Sequence, residues 1–141
     1  MQPKLFVATK AFIEHDGKTL IVRESSKYED GTNASRYDVP GGRLEPGQHF
    51  LESLRREVRE ETGIEQLEIG KPLFVNEWRP KKGGEEWQIV GIFFLCHAHS
   101  DVIHLGDDHD DYQWINPTNY KDYNLIPNLT KAFEAFLVNG A

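Results

Sequence analysis

The chain of 141 residues contains only one cysteine, Cys96, so no disulfide can form within it. Small secreted proteins usually depend on disulfides, and nothing in the sequence therefore ties the fold to an oxidising compartment. Cys96 ends the apolar run 89–96. We expect a buried, unreactive thiol there rather than a nucleophile.

Long hydrophobic runs are also missing. No segment approaches the roughly 20 apolar residues that a membrane-spanning helix needs, and the N-terminal segment MQPKLFVATKAF contains no long apolar stretch. The sequence therefore predicts no membrane span and no secretory signal. We expect a cytoplasmic protein.

Basic residues are scarce relative to acidic ones, with 16 Lys and Arg against 23 Asp and Glu and a formal net charge of −7. Such a surface repels polyanions and argues against a general nucleic-acid binder. A phosphorylated substrate would need local help from a metal ion or from a few placed basic side chains. The six His residues show no metal-ligand spacing, so no zinc site is predicted.

The sequence does contain enough bulky apolar side chains for one core. The apolar fraction is only 38%, but three Trp, five Tyr and eight Phe can fill a compact interior. A length of 141 residues leaves little room for a second core, so residues 1–141 are predicted to form a single domain. The oligomeric state is left open, with a homodimer as one alternative.

Alternating apolar residues and turn signals predict a mixture of strands and two helices. The predicted strands span residues 5–14, 19–22, 37–39, 67–78, 86–97 and 112–115, and the predicted helices span 49–62 and 125–138. Residues 23–36 are polar and rich in turn formers, which predicts a surface loop. This order predicts an α/β fold in which a mixed β-sheet is covered by α-helices.

The first predicted helix carries acidic side chains at positions that stability alone would not favour. Its apolar stripe, placed at about 100° per residue, consists of Phe50, Leu51, Leu54 and Val58. Glu57 and Glu61 fall in or beside this stripe, and Glu60 lies about 60° beyond Glu57. The other charged residues occupy the opposite, solvent-facing side: Glu52, Arg55, Arg56 and Arg59. Three carboxylates are therefore expected at the helix edge nearest the protein body.

Glu57 and Glu61 are like charges one helical turn apart. This arrangement destabilises a helix by roughly a few tenths of a kcal/mol unless a cation lies between the two side chains. Mg²⁺ prefers oxygen ligands and is usually held by one or two carboxylates together with substrate phosphate oxygens. Gly41 and Gly42 would let the backbone approach a metal ion or a phosphate without an intervening Cβ. The pattern therefore predicts a divalent cation and a diphosphate substrate.

Residues 41–64, GGRLEPGQHFLESLRREVREETGI, resemble the Nudix box, which is a glycine, five residues, a glutamate, seven residues and then Arg-Glu-aliphatic-x-Glu-Glu-x-Gly-aliphatic. The positions that match in register are Gly42, Arg56, Glu57, Val58, Glu60, Glu61, Gly63 and Ile64. The lead-in at 37–41 and Trp114 near the end are similar to the family as well. Gln48 departs from the pattern, which has glutamate there, but it would still hydrogen-bond Arg56 as a neutral partner.

This resemblance implies a Nudix fold and metal-dependent hydrolysis of a diphosphate linkage, with Mg²⁺ as the cofactor and Mn²⁺ as an alternative. It implies that Glu57, Glu60 and Glu61 bind the metal and that the Gly41 carbonyl completes the metal shell. Arg56 would orient the helix. The general base would be Glu57 or a carboxylate outside the box.

Asp108 is a candidate for that outside carboxylate. It lies in the acidic run 106–111, and similar family members carry a Glu-His-x-x-Tyr-x-Trp stretch whose glutamate matches Asp108 in position. Asp is one methylene shorter than Glu, and a solvated acidic loop is the interpretation that the charge pattern favours. Asp108 is therefore kept as a candidate base beside that simpler alternative.

Other residues carry weaker signals. Arg23, at a strand end, and Gly42 are candidate contacts for substrate phosphate. Plain surface charge is the favoured interpretation of the basic side chains outside the box, which are Arg23, Lys27, Arg36 and Arg79. Three aromatic residues are expected in the core or on a sheet face rather than as platforms for a base: Phe74, Trp78 and Trp87.

Two hypotheses follow for function. The first is an enzyme that hydrolyses a small nucleoside diphosphate-X substrate, with an ordinary or oxidised nucleoside triphosphate cut to monophosphate and pyrophosphate as the first candidate. Dinucleoside polyphosphates, nucleotide sugars and pterin triphosphates stay open, because specificity lies in loops that the box does not encode. The second is a non-catalytic Nudix-fold nucleotide sensor, suggested by Gln48. The three later glutamates argue against it.

Overall fold

The fold is known from a computed structural model that describes residues 2–25 and 35–140. Most of the predicted surface loop, including Lys27, therefore lies outside the described residues. The chain begins with an antiparallel hairpin of β1 (Lys4–His15) and β2 (Lys18–Glu24). Its turn has positive φ at Asp16 (49°) and Gly17 (78°), as a tight two-residue hairpin requires. The turn was predicted from these two residues.

The remaining elements follow in the predicted order with several additions. They are β3 (Tyr37–Asp38), β4 (Gly41–Arg43), α1 (Phe50–Thr62), β5 (Leu67–Trp78), β6 (Lys81–Lys82), β7 (Glu85–Ala98), β8 (His109–Ile115), a 3₁₀ segment (Pro117–Asp122), α2 (Pro127–Ala135) and a π-helical turn (Phe136–Gly140). No described helix is both long enough and apolar enough to cross a bilayer.

The sheet is mixed, with the order β3-β2-β1-β7-β5. β1 and β7 run parallel from the pair Lys4–Trp87 to the pair Glu14–His97, and the other pairings are antiparallel. β4 pairs with the edge of β1 that faces away from β7, β8 pairs with β2, and β6 pairs with β7. Because β1 pairs with β4 at residues 8–10 and with β2 only at residues 14–15, its edge is shared between two partners.

The two faces of the sheet carry separate apolar clusters, because successive side chains of a strand point to opposite faces. Ala11 and Ile13 of β1 pack with the apolar residues of α1, whereas Phe12 packs with those of α2. The sheet is thus enclosed between two helices. This arrangement confirms the predicted α/β class and the mixed sheet covered by helices.

Helix α1 has the expected ends. His49 precedes it, and its Nδ1 accepts a hydrogen bond from the Leu51 N–H at 3.3 Å. Gly63 follows it with φ 78°, and its N–H donates to the Arg59 carbonyl at 2.9 Å. A left-handed residue at this position ends a helix, and glycine adopts it without strain.

Several details of the predicted secondary structure were wrong. β4 was missed because Gly-Gly-Arg has little strand propensity, and it is held by pairing with β1 rather than by its own residues. β8 begins at His109 instead of residue 112, because Asp110 and Asp111 find partners in Arg23 and Tyr37. The closing helix was predicted at 125–138, but its α-helical part is only Pro127–Ala135.

Candidate active site

A cavity of about 500 Å³ opens where β1, β3, β4, α1 and the start of β8 meet. We call it the carboxylate cavity, after Glu57 and Glu61. Its lining residues are Lys10, Glu24, Arg36, Asp38, Val39, Gly41, Glu57, Glu61, Asp108 and His109. Charged residues from distant parts of the chain therefore converge on one volume.

Glu57 and Glu61 lie one turn apart on the inner edge of α1, with side chains 24% and 12% exposed. The Glu57 carboxyl and the Gly41 backbone both adjoin the Glu61 carboxyl. Burial raises the pKa of Glu61 to about 9, Lys10 opposes this rise, and Glu57 adds to it. Two carboxylates this close need a shared proton or a cation between them.

The two glycines of β4 make this approach sterically feasible. A Cβ on Gly42 would lie 3.2 Å from the carboxyl carbon of Glu57. Gly41 has φ 147°, and a Cβ there would lie 2.2 Å from the Thr9 carbonyl oxygen. Glycine is therefore required at position 41, whereas a side chain at position 42 would crowd the Glu57 carboxyl group. The predicted approach of this backbone to a metal ion or a phosphate stays a prediction.

Lys10 and Asp38 form a buried ion pair that sequence reasoning missed. Lys10 Nζ lies 2.7 Å from Asp38 Oδ2, and the side chains are 13% and 25% exposed. Burial alone lowers the pKa of Lys10, but Asp38, Glu61 and Glu57 outweigh it and raise the pKa above its ordinary value. Lys10 is therefore a charged ammonium. A lone lysine in the apolar strand VATKAFI was the signal available in the sequence.

His109 and Asp108 close the cavity from β8. His109 Nε2 lies 3.7 Å from Glu61 Oε1, and Nδ1 is buried without a hydrogen-bond partner among the described residues. Burial, followed by Lys10, lowers the pKa of His109, so the imidazole is neutral at pH 7. The Asp108 carbonyl accepts from the Ser25 N–H at 2.8 Å, and the residue lines the cavity. Asp108 is exposed in the turn before β8, as a solvated loop requires, and it also lines the cavity, so both interpretations stay open.

Arg56 and Glu60 lie outside the cavity wall. Arg56 Nη2 is 3.3 Å from Glu57 Oε1, and its Nε is 3.8 Å from Glu60 Oε1. Glu60 is 59% exposed, and its carboxylate contacts Arg56 rather than the cavity. Only two of the three box carboxylates therefore converge. Gln48 Oε1 accepts from the Glu45 N–H at 3.3 Å, so the predicted contact with Arg56 is replaced by a bond within its own turn.

Arg23 also lies away from the cavity wall. Its Nε is 2.7 Å from Asp110 Oδ1, and its guanidinium carbon lies 5.9 Å from the centre of the Tyr37 ring. Arg36, interpreted from the sequence as surface charge, lines the carboxylate cavity instead. Among the described residues, no group of three or more His, Cys, Asp or Glu has metal-binding geometry. The donors that fit a hard cation are the Glu57–Glu61 pair beside the glycines of β4.

A second cavity of about 420 Å³ adjoins the first and shares Lys10, Glu24 and Asp38 with it. We call it the aromatic cavity, after Trp78 and Trp87, which are half-buried in its wall. Both residues lie on strands of the sheet, as expected, and they also line this cavity. Phe74 does pack against the cluster beneath α2, as expected.

Glycine and basic residues shape the aromatic cavity. A Cβ on Gly91 would lie 2.4 Å from the Trp78 ring, so glycine gives this indole its place against the sheet. The Arg43 guanidinium lies 4.8 Å from the centre of the Trp87 ring. Arg79 and Lys82 also line the wall, although Arg79 was interpreted as plain surface charge. Aromatic rings with cations nearby suit a flat, anionic ligand.

Comparisons with known proteins agree with this geometry. The family model for the NUDIX domain matches residues 4–136. Nucleoside triphosphatase NudI of Escherichia coli K12 is 29% identical over 119 residues, covering 80% of this chain and 83% of the relative. The crystal structure of a MutT protein from Methanosarcina mazei Go1 superposes with a TM-score of 0.80 at 26% identity, covering 96% of this chain and 95% of that one.

A third comparison shows the fold alone. An Ap4A hydrolase from C. elegans has a TM-score of 0.70 at 17% identity, with 96% of each chain covered. Nudix hydrolases generally use divalent cations and act on small nucleotide-like substrates. The match over nearly the whole chain, together with the paired glutamates of α1 beside Gly41, shows that the protein belongs to the Nudix family and is a pyrophosphohydrolase.

Proposed function

We propose that the protein hydrolyses nucleoside triphosphates to nucleoside monophosphate and pyrophosphate with Mg²⁺, and with Mn²⁺ as a substitute. The observation that carries the proposal is the pairing of Glu57 with Glu61 in a cavity that continues into an aromatic one. The first cavity offers oxygen donors for a hard cation, and the second offers rings for a base. The similarity to a nucleoside triphosphatase supports the same substrate class.

In this proposal Glu57, Glu61 and the Gly41 carbonyl hold the cation. Glu60, which lies outside the cavity wall in contact with Arg56, is the third candidate ligand. The bound cation would neutralise the diphosphate oxygens and favour an attacking hydroxide. Arg56 holds the Glu57 carboxylate in place through the 3.3 Å contact. Glu57 or Asp108 takes the proton from the attacking water, since both line the cavity.

The substrate is proposed to lie across both cavities. Its base would stack in the aromatic cavity, where the Trp78 ring forms part of the wall. Its phosphates would then point toward the carboxylate cavity, whose wall includes Arg36. Gly42 lines the aromatic cavity and allows a phosphate to approach the backbone. The earlier candidate Arg23 lines neither cavity and instead contacts Asp110 and Tyr37.

The test is product analysis with a panel of ordinary and oxidised nucleoside triphosphates and Mg²⁺, Mn²⁺ or chelator. We expect monophosphate and pyrophosphate in equal amounts, and none with chelator. Glu61→Gln and Glu57→Gln should each lower kcat by roughly 10²-fold or more, because each removes an anionic ligand. Glu52→Gln, on the exposed side of the same helix, should leave turnover unchanged.

Two results would reject the proposal. Full turnover in Glu61→Gln would show that this carboxylate holds no catalytic cation. Release of diphosphate and orthophosphate would show that a different bond is cut. The single-domain organisation over residues 1–141, the cytoplasmic location and the homodimer alternative stay predictions.

A further inference from the structure

Lys10 occupies an unusual position for a lysine. Its neighbours Thr9 and Ala11 are fully buried, and its own side chain is only 13% exposed. It is part of the wall of both the carboxylate cavity and the aromatic cavity. Any ligand that spans the two cavities must therefore pass the Lys10 ammonium.

Stability does not account for this residue. A buried ion pair such as Lys10–Asp38 is often no more stabilising than an apolar pair of the same volume, because both charges lose their hydration. Lys4 shows the ordinary alternative on the same strand: its pair with Glu85 spans 3.0 Å, and its side chain is 58% exposed. A buried ammonium beside carboxylates suits a ligand that brings further negative charge.

We propose that Lys10 binds the phosphoryl group that joins the nucleoside to the scissile bond, and so positions that bond over Glu57 and Glu61. The inference rests on the proposed function, since it takes the substrate to span both cavities. An ammonium has three N–H donors, and its bond to Asp38 at 2.7 Å uses one of them. Strand β1 therefore holds the Lys10 ammonium where the two cavities meet, between the indole of Trp78 and the two glutamates.

Asp38 positions this ammonium. Its Oδ2 accepts from Lys10, and its Oδ1 accepts from the Val39 N–H at 2.7 Å, so both oxygens are engaged. The carboxylate is thereby fixed to β3 while it holds the lysine on β1. Removing Lys10 alone would leave a buried, unpaired Asp38, which is a reason for the single variant to misfold.

The test therefore uses the double variant Lys10→Met with Asp38→Asn, which preserves shape and leaves no unpaired charge at position 38. The matched control is Lys4→Met with Glu85→Gln, which removes an exposed pair from the same strand and sheet face. For each protein the melting temperature is measured first. Binding of the common nucleoside monophosphates and of the corresponding nucleosides is then measured by quenching of tryptophan fluorescence, without metal.

We expect the double variant to melt cooperatively at or above the wild-type temperature. Its affinity for nucleoside monophosphates should fall about 10- to 100-fold, as for loss of a charge-assisted hydrogen bond, while nucleoside affinity stays unchanged. The control should match the wild type for both ligands. This combination separates a phosphate contact from a structural role.

Three outcomes would overturn the inference: monophosphate binding within about twofold of the wild type, an equal loss for nucleoside and monophosphate, or no monophosphate binding by the wild type. None of these readouts needs turnover. A wild-type protein that binds monophosphate but releases no pyrophosphate from triphosphates would refute the proposed function alone. The comparison of variants would still decide the role of Lys10.

Discussion

At the scale of single residues, burial decides which side chains are reactive. Cys96 is 2% exposed, and its Sγ donates to the Phe94 carbonyl at 3.4 Å. Burial raises the pKa of this thiol to about 12, with Arg55 opposing the rise only weakly. The thiolate is the nucleophilic form, so the folded protein presents almost none of it at neutral or mildly alkaline pH.

We predict that iodoacetamide alkylates Cys96 in the folded protein roughly 10³-fold more slowly than in concentrated urea at pH 8.5. The reason is that the raised pKa lowers the fraction of thiolate in the folded protein by about that factor. Between pH 7 and 10 the folded rate should rise about tenfold per pH unit from a very low value, whereas the rate in urea should level off above the ordinary pKa of a thiol. The measurement is mass spectrometry of quenched time points. Comparable rates in the two states would show that the thiol is accessible, contrary to the structure.

Single residues also show the limit of prediction from sequence. Glu57 and Glu61 were predicted to face inward, since helical periodicity fixes direction within one element. The same argument placed Glu60 beside them, whereas its carboxylate is 59% exposed and contacts Arg56. Lys10 and Asp38 were missed, because their pairing depends on which strands meet, and no local pattern encodes that.

At the scale of elements, α1 is positioned by its two ends. Gly63 ends the helix with φ 78°, and a Cβ there would lie 3.2 Å from the Cβ of His104. The His104 N–H donates to the Thr62 carbonyl at 2.8 Å, so the segment between β7 and β8 packs against the last turn of the helix. The cap therefore fixes both the length of α1 and the path of the chain toward β8.

We predict that Gly63→Ala destabilises the protein by about 1–2 kcal/mol, from left-handed strain together with crowding against His104. Gly47→Ala is the control, because Gly47 also has positive φ (88°) but open space around its Cβ position. It should cost only about 1 kcal/mol. Urea unfolding of the three proteins measures both values. Equal losses would show that contact with His104 contributes nothing.

Elements with strong periodicity were predictable, and elements defined by pairing were not. α1 and the hairpin of β1 and β2 carry their own signals in apolar spacing and in Asp16-Gly17. β4 consists of three residues whose strand conformation comes from β1. The acidic start of β8 was predicted as a loop. The hydrogen-bond donors to its carboxylates, Arg23 and Tyr37, lie far away in sequence.

At the scale of the whole molecule, the active site is an assembly of distant segments. The parallel pairing of β1 with β7 brings Gly91 to one side of Lys10, the pairing of β5 with β7 brings Trp78 to the same side, and β4 brings Gly41 to the other. α1 then adds two carboxylates that converge, while Glu60 stays exposed. Because Mg²⁺ usually completes its shell with substrate phosphates, a pair of carboxylates alone should bind it weakly.

We therefore predict that metal and nucleotide stabilise the protein together rather than separately. Mg²⁺ alone, or a non-hydrolysable triphosphate analogue alone, should raise Tm by less than about 2 °C, whereas both at high concentration should raise it by roughly 5–10 °C. The Glu57→Gln, Glu61→Gln double variant should melt at or above the wild type in chelator, because it lacks the repulsion between two neighbouring carboxyl groups. It should gain almost nothing from the combination. A full shift with Mg²⁺ alone would instead indicate a complete cation site made by the protein itself, which the two converging glutamates do not provide.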